Sequence, residues 1–337
     1  MRSIGINFLL TLLAALISVA AGETLIRIFL PSFDPAKQIF FYKGGLEKPT
    51  LGPPNLSLKQ TSTSDDFDVH ISFNKYGLRD HKVVSNGQTG DLYVVGDSFA
   101  FGWGVEKIDR FSNKLEEFTG RTIYNLATPG DFENYNNLLK HAIVLGAKIR
   151  QVIISICMEN DLKLYKSIAL QSNSPVKKKS YTITFQGLKQ FLKTHSALYI
   201  FISSTIHRNS KAKSIAKKLG LITGVTEGFS QIYFDMETIN NSISKLLDVV
   251  KSFKPVFLVI PSRGLWIGEK QEITRKIHNT FVKKVMSLGY DVIDMRPIFE
   301  STKMPMNFYF KNDGHWSPKG HYAAARALQA YFQEVKQ

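Results

Sequence analysis

The sequence predicts an α/β protein, a three-layer α/β/α sandwich on about five parallel strands, and three observations predict it. Apolar runs at 92–95, 122–126, 151–156, 256–260 and 291–295 have the length of strands and the unbroken hydrophobicity of strands covered on both faces. Between them lie segments with apolar residues at helical spacing. The 337-residue chain is 44% hydrophobic and 21% charged, which excludes collagen-like, coiled-coil and wholly disordered chains. A lone Cys157 excludes an intrachain disulfide, a Cys-based zinc cluster and a CxxC redox pair.

Taken in order, the elements begin with a membrane segment. Ser3 to Gly22 run for 20 positions without a charge, and a helix of that length spans roughly 30 Å, the thickness of the hydrocarbon layer. Only Asn7 and Thr11 interrupt the run, which favours a membrane segment or secretion signal over a buried core helix. The stretch is longer than the apolar core of a secretion signal, and Val19-Ala20-Ala21 matches a cleavage site imperfectly. An uncleaved anchor is therefore favoured over a signal. An interfacial helical extension from Glu23 follows and stops at Pro31, closing residues 1–31. Arg2 and the terminal amine put the amino end on the cytoplasmic side and the remainder on the extracytoplasmic (periplasmic) side.

Residues 32–66 read as a linker, rich in Pro, Ser and Thr from 44 onward, and 67–337 as one domain that opens with a hairpin at 67–82. The strand at 92–95 is followed by a helix near 111–118, a strand at 122–126, a helix near 135–145 and a strand at 151–156. The alternation resumes with a helix at 238–252, a strand at 256–260, a helix at 269–288 and a strand at 291–295. Ser317 as N-cap and Pro318 at the first helical position start the last helix.

The interruption at 163–226 holds most of the excess charge. The chain has 43 Lys+Arg against 28 Asp+Glu, a net +15. Twelve of the bases and none of the acids lie in 163–226, leaving 31 bases against 28 acids elsewhere. Leu188, Phe191, Leu192, Leu198, Tyr199, Ile202 and Ile206 recur there at helical spacing. The plainer reading is a helix packed on the sandwich with its lysines in water. The sharper one is a cap over the crevice whose positive field gathers anionic glycan or lipid headgroups. No nucleic-acid motif is present, and a chain exported past a membrane does not meet nucleic acid.

Ligands of open parallel sheets bind beyond the carboxyl ends of the strands, and four motifs lie there. Gly96-Asp97-Ser98-Phe99 follows the first strand and projects a serine from a tight turn. Asn312-Asp313-Gly314-His315-Trp316 sets a carboxylate and an imidazole two residues apart before the last helix. A serine hydroxyl needs a base to take its proton, and the base needs a carboxylate to orient it, so Ser98, His315 and Asp313 supply the three parts of nucleophilic catalysis. Gly130, after the second strand, offers a backbone N–H for an oxyanion, and Asn160, after the third, a side-chain amide. Taken singly, each has a plainer role as a turn residue or helix cap. Phe101, Trp103 and Trp316 stand close enough in sequence to line or buttress a pocket.

Together these motifs resemble the SGNH (GDSL-type) hydrolases. The resemblance covers roughly residues 67–337 and rests on GDSF at 96–99, Gly130, the Asn160-Asp161 pair and DGHW at 313–316, in that order. Asn74-Lys75-Tyr76-Gly77-Leu78-Arg79, Phe101-Gly102-Trp103-Gly104-Val105 and Pro318 to His321 look like the frame of membrane-anchored bacterial members. The resemblance implies a flavodoxin-like fold, Ser98 as nucleophile, His315 as base and Asp313 as its carboxylate. It further implies an oxyanion hole made by the Ser98 and Gly130 N–H groups and the Asn160 side chain. Two departures stand out: Met158 occupies the place of the family's glycine two residues before the Asn, and the acid–base spacing is D-x-H instead of D-x-x-H. The shorter spacing resembles polysaccharide O-acetylation proteins of the alginate type.

The expected activity is thus an ester hydrolase acting on O-acyl groups of an envelope glycan or lipid. The alternatives are an O-acetyltransferase of an envelope polysaccharide and a noncatalytic assembly or glycan-binding protein on the same fold. The α/β-hydrolase pattern G-x-S-x-G is not met at Ser98. No metal-binding pattern and no Rossmann continuation of Gly102 and Gly104 is present, so no metal or cofactor is expected.

Overall fold

The computed structural model describes residues 2–45, 47–62, 64, 66–165, 185–208, 211, 215 and 235–335. The chain divides into two compact units, one of residues 39–59, 66–174 and 226–337, the other of residues 1–38, 60–65 and 175–225.

The larger unit is built on a five-stranded parallel sheet. Counting from the amino terminus, β1 (Ser57–Thr61) and β2 (Asp68–Ser72) form a separate two-stranded sheet. The main sheet holds β3 (Leu92–Val95), β4 (Ile123–Asn125), β5 (Gln151–Cys157), β6 (Lys254–Ile260) and β7 (Asp291–Asp294) in the order β4-β3-β5-β6-β7. Every neighbouring pair is parallel, with Leu92 opposite Ile123 and Gln151, Gln151 opposite Lys254, and Val256 opposite Asp291. The second strand in sequence lies outside the first and the rest add on the other side, the doubly wound order of flavodoxin-like sheets. The order reverses between β3 and β5, and the motif serine follows β3.

Period-two alternation assigns each strand residue to a layer. Tyr93, Val95, Val152, Ile154, Phe257 and Val259 pack in one core with α4 (Phe132–Val144), α7 (Met236–Val250) and α8 (Gln271–Ser287). Leu92, Val94, Ile153, Val256 and Leu258 pack in a second core with α3 (Phe111–Thr119), α9 (Met295–Glu300) and α10 (Pro318–Glu334). Two covered faces account for strands that read as unbroken apolar runs. The hairpin expected within 67–82 differs: β2 finds its partner upstream at Ser57–Thr61, and the segment after it is held instead by Asn74, whose side chain accepts the N–H groups of Tyr76 and Leu78. That Asx turn competes with a returning strand.

The smaller unit contains α1 (Arg2–Phe29), which is long and apolar enough from Gly5 to Phe29 to cross a membrane and leaves most of its large apolar side chains exposed. It also contains α5 (Phe185–His195) and α6 (Ala197–Arg208) from the basic segment. Within this unit α6 packs on the carboxyl-terminal part of α1. Ile26, Phe33 and Ala197 are buried together, and the Phe33 and Phe201 rings meet edge to face at 5.2 Å. Glu23 caps α6, accepting the N–H groups of Ala197 and Leu198 and the Ser196 hydroxyl. Acidic groups are favoured at helix amino ends for this reason. Within 163–226, residues 166–184, 209–210, 212–214 and 216–226 lie outside the described residues.

Candidate functional site

The site begins at the end of β3. Gly96 is required by close approach, because a Cβ there would lie 2.6 Å from the Ala100 Cβ and 2.7 Å from that of Ser155. The buried Asp97 caps the short helix α2 (Ser98–Phe101), its Oδ1 accepting the Phe99 N–H at 2.9 Å. Ser98 is thereby held at the first position of a helix.

The turn before α10 brings the other groups. His315 Nε2 lies 2.7 Å from Ser98 Oγ, and His315 Nδ1 lies 2.6 Å from Asp313 Oδ1. With the proton on Nδ1 donated to the carboxylate, Nε2 is left to accept the serine O–H. Asp313 Oδ1 also accepts the His315 backbone N–H at 2.9 Å, which fixes the turn on itself. The His315 ring sits between Phe99 and Trp103, with centroids 5.0 and 5.6 Å away. Burial pushes the Asp313 carboxyl up, but the hydrogen bond and charge of His315, with the Arg263 charge behind them, outweigh it and hold Asp313 below the usual carboxylate range.

Asn160 stands on the turn after β5 and donates from Nδ2 to Asp97 Oδ2 at 3.1 Å, beside the serine. The second hydrogen on that nitrogen remains for a further acceptor. Asp161 is buried beneath it, accepting the Cys157 N–H at 2.8 Å and the Tyr135 hydroxyl at 3.0 Å. Burial raises both carboxyls, Asp97 and Asp161, and the charge of Asp97 raises Asp161 further. Met158, in place of the family's glycine, is buried and donates its N–H to Ile260 at 3.2 Å.

Gly130 lies in the loop after β4 against the Asn134 side chain. It lines a cavity of about 490 Å³ together with Phe41, Thr50, Asp131, Asn134 and Asn137. Phe101 and Trp316 are fully buried: Phe101 stacks on Phe73, and Trp316 meets Phe99 edge to face behind the histidine. Trp103 is half-buried beside His315. Among the described residues, no group of three His, Cys, Asp or Glu side chains is set to hold a metal ion.

Several residues around the site escaped the sequence reading. Asp97 was visible inside its motif, but not its bond to Asn160. Glu159 and Arg263 form an ion pair at 3.0 Å across 104 positions, and Asp66 accepts the Asp313 N–H at 2.8 Å across 247. Such long-range polar pairs carry no periodicity, so only the nearness of Glu159 to Asn160 offered a signal.

Comparison with known proteins adds three findings. Residues 255–337 match the family model described as SGNH hydrolase-like domain, acetyltransferase AlgX. No curated protein matches by sequence. Solved structures with a similar course of chain include a member of the lipolytic protein G-D-S-L family from Veillonella parvula, 8% identical over 72% of this chain and 98% of that one, with a TM-score of 0.43. The C-terminal catalytic domain of peptidoglycan O-acetyltransferase A from Streptococcus pneumoniae is 11% identical over 74% and 96%, with a TM-score of 0.36. A family 3 carbohydrate esterase from Clostridium thermocellum is 13% identical over 74% and 97%, with a TM-score of 0.35. The part of the chain that holds Asp313 and His315 thus matches an SGNH hydrolase-like domain, the family that the sequence motifs resemble.

Proposed function

We propose that the protein is a membrane-anchored serine ester hydrolase that works on O-acyl groups of an envelope glycan or lipid from the extracytoplasmic side. The single observation that carries this reading is the unbroken pair of hydrogen bonds from Ser98 through His315 to Asp313, at 2.7 and 2.6 Å. Ser98 Oγ attacks the ester carbonyl carbon while its proton passes to His315 Nε2. The Ser98 and Gly130 N–H groups and the Asn160 amide receive the oxyanion, each donor worth on the order of 10²–10³ in rate. His315 then returns the proton to the departing alkoxide oxygen, leaving the acyl group on Ser98. Water, activated by the same histidine, releases the acid and regenerates the serine.

A second reading, acetyl transfer, differs only in the last step, where a sugar hydroxyl replaces water. The acetyltransferase description of the matching family model supports it. The exposed apolar course of α1 supports the anchor, and the twelve bases of 163–226 support contact with an anionic surface.

Turnover of 4-nitrophenyl acetate by the full chain in detergent tests the mechanism. Ser98→Ala is expected to lose at least a thousandfold in kcat. Equal turnover by the two proteins would remove Ser98 from the reaction. Adding an acceptor sugar distinguishes the readings: acetylated sugar at the expense of acetate marks transfer, and unchanged acetate release marks hydrolysis.

A further inference from the structure

The turn that carries Asp313 and His315 is fastened on one side by Asp66, whose carboxylate accepts the backbone N–H groups of Asn312 at 3.1 Å and Asp313 at 2.8 Å. Arg263, from the loop after β6, holds the other. A Cβ placed on Gly314 would lie 2.5 Å from Cζ, Nη1 and Nη2 of Arg263, so the guanidinium rests directly on the glycine between acid and base. Its position is set by Glu159. The Glu159 carboxylate accepts the Arg263 backbone N–H at 2.7 Å, Nε at 3.2 Å and Nη2 at 3.0 Å. Glu159 directly precedes Asn160, so one ion pair joins the loop of the amide donor to the turn of the acid and base.

We propose that Arg263 and Glu159 form a positioning pair for the reaction at Ser98, holding the Asp313-Gly314-His315 turn and the Asn160 loop in one register. The inference rests on the serine-hydrolase reading. A guanidinium–carboxylate fork is stiffer than other ion pairs because two parallel bonds fix its plane. Both partners are mostly buried, with side chains 24% and 11% exposed, so water screens the pair weakly. Burial alone would lower the Arg263 pKa, but Glu159 raises it, and the cation persists across the working range. Sub-ångström drift of a base or oxyanion donor is costly in rate, which makes a shared support for both worthwhile.

The cation also acts on charge. The groups facing Asp313 are His315 on its own turn, Arg263 from the loop after β6 and Asp66 from the loop before β2; Glu159 stands behind Arg263. Arg263 favours the ionised carboxylate. Removing it makes protonation of the Asp313 carboxylate easier, so the acid limb of the rate profile moves to higher pH.

Full chain in detergent, 4-nitrophenyl acetate turnover from pH 4 to 9 and the rate of Ser98 sulfonylation by phenylmethylsulfonyl fluoride together test the pair. Arg263→Gln is expected to lower kcat about tenfold with little change in KM, to slow sulfonylation and to raise the acid limb. Arg263→Lys restores the charge and the acid limb, but not the kcat, because it lacks the fork. Glu159→Gln and Gly314→Ala, which crowds the guanidinium, lower kcat with the melting temperature close to that of the parent. A folded Arg263→Gln with parental kcat, sulfonylation rate and acid limb overturns the proposal while leaving the Ser98 mechanism intact. A parent that is neither sulfonylated nor active overturns both.

Discussion

Asp97 serves two elements with two oxygens. Oδ1 caps α2 through the Phe99 N–H, and Oδ2 takes the Asn160 amide, so the carboxyl group that starts the helix of Ser98, the proposed nucleophile, also orients Asn160, a proposed oxyanion donor. Asp97 is 2% exposed, and no water replaces a lost contact there. Asp97→Ala is therefore expected to cost about 1 kcal/mol for the cap and, separately, to release Asn160. The kinetic signature is a fall in kcat of about tenfold at nearly constant KM, since Asn160 acts on developing charge and not on ground-state binding. A variant that melts earlier yet turns over at the parental rate would reduce Asp97 to a cap. Motif reading alone pointed to Ser98, Asp313 and His315, which the fold brings within hydrogen-bonding distance, because the proposed chemistry needs particular residue types in short local motifs. The partners that hold them, Asp66, Glu159 and Arg263, are common residue types whose meaning exists only once the chain has closed.

Packing between helices supplies the next level, and His321 shows how it depends on pH. This side chain, on the inner face of α10, accepts the N–H of Phe111 at the start of α3 at 3.3 Å, stacks on the Phe111 ring and meets Trp316 edge to face. One orphan donor at a helix amino end is thus satisfied by a neutral imidazole. Burial lowers the His321 pKa to about 3, and the charges of Arg110, Arg79 and His315 add to it. In the unfolded chain a histidine titrates near 6.5, so below that pH the unfolded chain binds a proton that the folded one refuses. Stability from this group is whole above about 6.5 and falls by roughly 1 kcal/mol per unit as the pH drops toward 3. His321→Asn is expected to flatten the urea midpoint between pH 6.5 and 4, and parallel midpoint curves for both proteins would place the acid sensitivity elsewhere. Element by element, all five parallel strands and the longer helices between them were legible, since burial on two faces writes a continuous apolar run and amphipathic packing writes a 3.6-residue period, whereas the four-residue α2, too short for a period, reads as a turn. The partner of β2 was not, because an edge pair on a two-stranded sheet needs neither pattern. Nor was the docking of α6 on α1, which depends on one glutamate meeting a helix end 173 or more positions away.

At the scale of the whole molecule, α1 divides into two parts with different surroundings. Its first apolar stretch, ending near Gly22, exposes Phe8, Leu9, Leu10, Leu13, Leu16 and Ile17, side chains that water would not tolerate as a continuous surface. At 1.5 Å per residue, about 18 residues reach roughly 27 Å, close to the hydrocarbon layer. From Glu23 the helix changes character. Glu23 pairs with Arg27 at 2.7 Å and Arg27 with Asp34 at 2.6 Å, and the Arg27 guanidinium donates to the His195 carbonyl at 2.7 Å. In the proposed anchor this polar cluster lies in the headgroup region or beyond, and the span ends at the residue before it, Gly22. Two outcomes separate an anchor from a removed signal. An anchored chain stays with the membrane after alkaline carbonate and its intact mass includes Met1, whereas cleavage after Ala21 would release a chain that begins at Gly22. The first result is expected of the proposed anchor, whose apolar stretch is longer than that of an ordinary signal and leads without a break into the turns of α1 that receive α6.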